Sequence, residues 1–83
     1  MRSFLFRFYT RDGCPLCDEG LRVAEQVTRR SRVEIEIVDI GESDRLTADY
    51  GMRIPVIEDA DGNVLAEGRV ERKALRKAIR RRR

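Results

Sequence analysis

The chain has 83 residues, two cysteines, no histidine, 40% charged side chains and a formal net charge of +3. That length suits one small domain with a modest core. No apolar run approaches the roughly 18 residues that span a bilayer, and a closed four-ligand zinc site within one chain would have to draw on at least two carboxylates. The charge is uneven: residues 1–68 carry nine basic and fourteen acidic side chains, net −5, whereas residues 69–83 carry nine and one, net +8.

From Phe4 to Tyr9, Phe4, Phe6 and Phe8 alternate with Leu5, Arg7 and Tyr9, the period of two that defines a strand. The phenylalanine stripe is expected to face the core. Met1 to Tyr9 lacks the apolar core of about 7 to 15 residues that marks a signal peptide. A cytoplasmic location is therefore expected, a compartment in which paired cysteines are more often catalytic or metal-binding than structural. Thr10 to Gly13 is turn chemistry. Pro15 to about Arg30 follows with apolar positions at helical spacing, Asp18 and Glu19 at its positive end and Arg29 and Arg30 at its negative end. Gly20 weakens that helix by roughly 1 kcal/mol relative to alanine and marks a place of close packing on the sheet.

Val33 to Ile40 alternates again and is rich in β-branched residues, a second strand. Ser43 to Tyr50 reads as a helix of about two turns, N-capped by Ser43 and stopped at Gly51. Arg53 to Ile57 is a strand that contains Pro55. Asp61-Gly62 is the signal of a two-residue hairpin leading into Asn63 to Ala66, and Glu71 to Ile79 forms a last amphipathic helix that ends in Arg80 to Arg83. The order is βαβαββα: a parallel unit joined to an antiparallel hairpin, with helices covering the sheet.

Cys14 and Cys17 sit where the first strand hands over to the first helix, which separates a redox motif from a chance Cys-x-x-Cys. Residues three apart on a helix lie roughly 5 to 6 Å apart, within reach of a disulfide. Pro15 suits the first helical position and leaves Cys14 as N-cap. There, free N–H groups and the helix dipole favour the thiolate and can lower a cysteine pKa to about 3.5 to 7.5. Cys14 is thus the expected nucleophile and Cys17, one turn in and less exposed, the resolving thiol.

The element order, Cys14-Pro15-Leu16-Cys17 at a strand–helix junction and Ile54-Pro55 leading into a hairpin together resemble the glutaredoxin branch of the thioredoxin superfamily. More narrowly, Tyr9 to Glu19 with Tyr50-Gly51 shortly before Arg53-Ile54-Pro55-Val56 is similar to its short bacterial glutaredoxin-like proteins. The resemblance implies a thioredoxin fold, a four-stranded mixed sheet flanked by three helices, spanning residues 1–83 as a single domain with a basic tail at about 80–83. It implies thiol–disulfide oxidoreductase activity on protein or small disulfides, with a cis Pro55 packed against the cysteines and the Ile54 backbone paired to an extended substrate. Arg11 stands where glutaredoxins carry a basic residue that holds the glycine carboxylate of glutathione, and Pro15 and Leu16 complete the candidate substrate-binding set. The family's Gly-Gly with following acidic residues reads Ala66-Glu67-Gly68-Arg69-Val70-Glu71 here, and its active-site aromatic is Leu16. Either glutathione or a thioredoxin-reductase-type flavoenzyme is therefore the expected reductant.

No tightly bound cofactor, no metal and a monomer are expected. Other readings of the same residues stay open: an inert pair, an iron-sulfur carrier formed across a dimer, or an adaptor that binds an acidic partner or nucleic acid through its basic C-terminal segment. No aromatic platform or base-reading motif accompanies the arginines, so nucleic acid is not the expected partner. Solubility and the negative helix C-terminus account for them.

Overall fold

The alternation that opens the sequence becomes strand β1, Phe4–Thr10, in the computed structural model, which describes residues 3–82. Helix α1, Pro15–Thr28, carries the chain back so that β2, Val33–Asp39, pairs parallel to β1, with Phe4 opposite Val33 and Thr10 opposite Asp39. A 3-10 turn at Ile40–Glu42 and helix α2, Asp44–Tyr50, lead to β3, Val56–Asp59, antiparallel to β1. Strand β4, Val64–Glu67, pairs antiparallel to β3, and helix α3, Arg72–Arg80, completes the order. The sheet runs β2-β1-β3-β4, so the strand that ends at the cysteines lies inside it.

The alternation in β1 divides the core. Phe6 and Phe8, with Ile57 across the strand pair, pack against Cys17 and Ala24 of α1, Leu75 of α3 and the preceding Val70. Tyr9, Val56 and Ile40 form the other cluster, covered by Leu46 and Tyr50 of α2. Helices α1 and α3 thus share one face and α2 takes the opposite one.

Local chemistry sets the boundaries. Helix α1 stops at Thr28, two residues before the expected Arg30, because Ser31 Oγ donates to the Thr28 carbonyl at 2.8 Å and accepts the Val33 N–H at 3.2 Å, turning the chain into β2. Ser43 caps α2 as expected, its Oγ accepting the Leu46 N–H at 3.0 Å. Strand β3 begins at Val56 instead of Arg53, because the backbone before it is already committed. The N–H groups of Arg53 and Ile54 both donate to the Tyr50 carbonyl, and the carbonyls of Arg53 and Pro55 both accept from Gly68 N–H. The expected two-residue hairpin at Asp61-Gly62 is a longer turn. Gly62, at φ +87°, donates to the Asp59 carbonyl, and Asn63 is drawn out of the strand onto Asp59, so β4 starts at Val64.

The terminal arginines also depart from a solvated tail. Arg80 closes α3 and Arg82 folds back, donating to the Asp59 carboxylate and to the Ala78 carbonyl, with its guanidinium 5.5 Å from the Phe6 ring centre. Arg83 lies outside the described residues. Burial would push the Asp59 carboxyl up. The side-chain amide and N–H of Asn63, the Arg82 guanidinium and the Asp61 N–H outweigh it and hold the group at about 2, below its ordinary 3.8.

Two outcomes follow from this packing. A Cβ on Gly20 would lie 2.9 Å from Val70 Cγ2 and 3.3 Å from Pro55 Cγ. Overpacking of that kind costs about 1 to 3 kcal/mol, against a helix-propensity gain of about 1 kcal/mol, so Gly20→Ala lowers the urea midpoint instead of raising it. For Asp59, the unfolded chain binds the proton more readily than the folded one. The carboxylate's contribution is present above pH 3.8 and is lost as pH falls toward about 2. In urea titrations across pH, Asp59→Asn is less stable than the parent at neutral pH and the gap closes through that window.

Candidate active site around Cys14 and Cys17

Strand β1 delivers the chain to a turn in which Gly13 takes φ +74°, the left-handed region that side chains avoid. Cys14 then stands as N-cap of α1 with extended backbone, φ −112° and ψ 95°, and Pro15 opens the helix. Its Sγ accepts the Cys17 N–H at 3.1 Å, so one of the N–H groups that a helix start leaves without an internal partner points at this sulfur. Cys14 and Cys17 are joined by a disulfide with their Cα atoms 5.2 Å apart. The two differ sharply in access. Cys17 is 0% exposed, within the cluster of Phe6, Phe8 and Leu75, whereas Cys14 is half-buried at its edge.

Of the other expected site residues, Pro15 and Leu16 are exposed, Leu16 at 44%. The Ile54-Pro55 peptide bond is cis, and Pro55 is buried. Glycine at position 20 lets α1 approach Pro55 so closely. Ile54 is half-buried and packs on both core clusters. Its N–H is already donated to the Tyr50 carbonyl at 3.1 Å, so of its two backbone groups only the carbonyl remains for pairing with an extended chain. Arg11 is exposed and makes no ion pair among the described residues. Beside Leu16 runs a groove of about 500 Å³ lined by Leu16, Glu19, Gly20 and Val23 of α1 and by Arg69, Val70, Glu71 and Arg72 opposite.

A polar network that the sequence reading missed supports the Ile54-Pro55 segment. Tyr9 and Tyr50 stack with ring centres 4.0 Å apart, and both hydroxyls donate to the buried Glu58 carboxylate, at 3.2 and 2.7 Å. Burial first, then the bond to Glu58 and the neighbouring Tyr9, push the Tyr50 phenol well above its ordinary value, so it remains a donor. Arg53 lies over the Tyr50 ring, its guanidinium donating to Glu67 at 2.9 Å and to the Asp49 carbonyl at 3.2 Å. The available signal was an acidic residue in a strand of four buried positions, Val56–Asp59, with one tyrosine in β1 and another just before Pro55. Among the described residues, no three His, Cys, Asp or Glu side chains gather as a metal site, and no helix is long and apolar enough to cross a membrane.

Known proteins share this architecture. A structural-genomics target protein from X. campestris is 26% identical, with a TM-score of 0.77 over 92% of this chain and 96% of its own. A protein from Nitrosomonas europaea, solved in solution, is 22% identical, with a TM-score of 0.80 over 95% of this chain and 94% of its own. A mutant thioredoxin from Halobacterium salinarum is 24% identical, with a TM-score of 0.71 over 96% of this chain and 74% of its own, and the fold is accordingly the thioredoxin fold. No curated protein matches the chain. A family model described as a glutaredoxin-like domain (DUF836) matches residues 6–80. Together with the bonded cysteine pair, that match supports a redox-thiol function in general. The chain belongs to this glutaredoxin-like family.

Proposed function

We propose that the protein is a thiol–disulfide oxidoreductase acting by a dithiol mechanism through Cys14 and Cys17. The observation that carries this reading is the Cys17 N–H aimed at Cys14 Sγ from a helix start, with Cys17 bonded to it from inside the core. In the reduced protein, the same N–H and the positive helix end favour a Cys14 thiolate. That thiolate attacks one sulfur of a substrate disulfide, forming a mixed disulfide and expelling the other sulfur as a thiolate. Cys17, deprotonated, then attacks Cys14 Sγ and releases the second substrate thiolate. Two electrons pass from the protein dithiol to the substrate disulfide, and both substrate thiolates take up protons from water.

Burial orders the steps. Cys17 cannot meet a protein substrate directly, whereas Cys14 can; the exposed Leu16 offers an apolar contact two residues on, and the Ile54 carbonyl, on a residue that packs on the same core cluster as Cys14, offers a hydrogen-bonding one. Arg11 is available to a substrate carboxylate. No bound cofactor is required. The oxidised pair is recharged by glutathione or by a thioredoxin-reductase-type flavoenzyme, two donors separated by comparing rates with NADPH and each reductase system.

With a disulfide substrate and either donor, Cys14→Ser loses activity by at least about a hundredfold, the scale of removing a nucleophile. Cys17→Ser still attacks but stalls, and mass spectrometry finds the substrate covalently held on Cys14. A Cys14→Ser protein with undiminished turnover would refute the mechanism.

A further inference from the structure

Helix α3 carries Arg72, Lys73, Arg76, Lys77 and Arg80 among its nine residues, with no acidic side chain, and all five are exposed. With Arg81, the helical repeat aligns them in two rows four residues apart, Arg72, Arg76, Arg80 and Lys73, Lys77, Arg81. Like charges at that spacing destabilise a helix. The ion pairs among the described residues are Arg7 with Glu36, Arg45 with Asp49, Arg53 with Glu67 and Arg82 with Asp59, so none answers these rows. The helix C-terminus offsets only about half a charge. The fold itself makes no use of the rest, which points to an anionic surface outside it.

The rows begin at the active site. Arg72, with Arg69, lines the groove that Leu16 and Gly20 line from α1; Glu19 and Glu71 in the same lining offset those two cations, and from there the unanswered cations extend about 12 Å along α3 to Arg80. A partner whose disulfide reaches Cys14 beside Leu16 therefore lies with its body along α3. Among the described residues the large exposed apolar side chains are Leu16, Ile37, Met52 and Val64, none of them aromatic. Stacking platforms for bases are aromatic, so the surface suits an acidic protein better than a single-stranded nucleic acid.

We infer that the protein disulfide reduced by Cys14 belongs to an acidic partner, which docks along the two cation rows of α3. The inference rests on the oxidoreductase reading. The exchange is the one already written: the partner disulfide gains two electrons and becomes two thiols, while Cys14 and Cys17 lose two electrons and form the protein disulfide.

The test mixes pre-reduced protein with three peptides that share one disulfide loop and differ only in flanks of Glu, Gln or Lys, and with neutral bis(2-hydroxyethyl) disulfide. At low salt, the Glu-flanked peptide reacts at least about tenfold faster than the Lys-flanked one, and the difference collapses in high salt, where charges are screened beyond a few ångströms. The triple variant Arg76→Gln, Lys77→Gln, Arg80→Gln, altered outside the active-site groove, loses that preference and keeps the parent's rate with the neutral disulfide. Equal rates for the three peptides, or a triple variant with its preference intact, overturn the inference. Binding of a single-stranded oligonucleotide that the triple variant abolishes, without any peptide preference, would reassign the rows to nucleic acid. Failure of the parent to reduce even the neutral disulfide would sink the oxidoreductase reading itself, an outcome distinct from a lack of charge preference.

Discussion

The arrangement of the cysteines depends on how closely α1 can lie against the sheet. Cys17 reaches the core and Cys14 stays at its edge only because the next turn of α1 presents a hydrogen where any other residue presents a carbon, with Val70, Pro55 and Phe8 around that point. A helix displaced outward would draw Cys17 from among Phe6, Phe8 and Leu75, and with it the difference in access on which the proposed two-thiol reaction rests. One missing methyl group thus couples core packing to chemistry. The coupling runs through side chains that close-packed interiors hold to within tenths of an ångström.

The segment around Ile54-Pro55 is fixed by different means. Between Tyr50 and Val56 the chain is neither helix nor strand, and its polar groups are met one by one. The Tyr50 carbonyl takes two N–H groups, and Gly68 N–H bridges two carbonyls at φ +74°. The tyrosine pair seals the segment from α2's side through Glu58. Buried carboxylates are expensive unless fully bonded. Two phenol donors here let a charged strand residue serve as the anchor for two elements.

Much of this was legible in the sequence because local chemistry and tertiary structure agree. Phe4 to Tyr9 alternates as a strand, Ser43 caps the helix it precedes, and Pro15 after Cys14 announces a helix start with a sulfur at its cap. Legibility failed where a side chain's own bonds override the local pattern, near in sequence or far. Nothing near Asp59 says that Asn63 leaves the strand to reach it, and nothing in four terminal arginines says that Arg82, 23 residues on, turns inward. The cis bond at Ile54-Pro55 was an implication of resemblance, since sequence alone favours trans. The Tyr9, Tyr50 and Glu58 network was missed because its signal lies in the combination, and each residue taken singly has an ordinary reading.

The inward turn of Arg82 bears on how the molecule comes into being. Asp59 gathers the local donors of Asp61 and Asn63 as soon as the hairpin exists, but its guanidinium partner is made 23 residues later. While the polypeptide is being synthesised, the floor beneath Phe6 is therefore open after the sheet's last strand has emerged. Arg82 covers Phe6 only after the strands that surround that ring have been made.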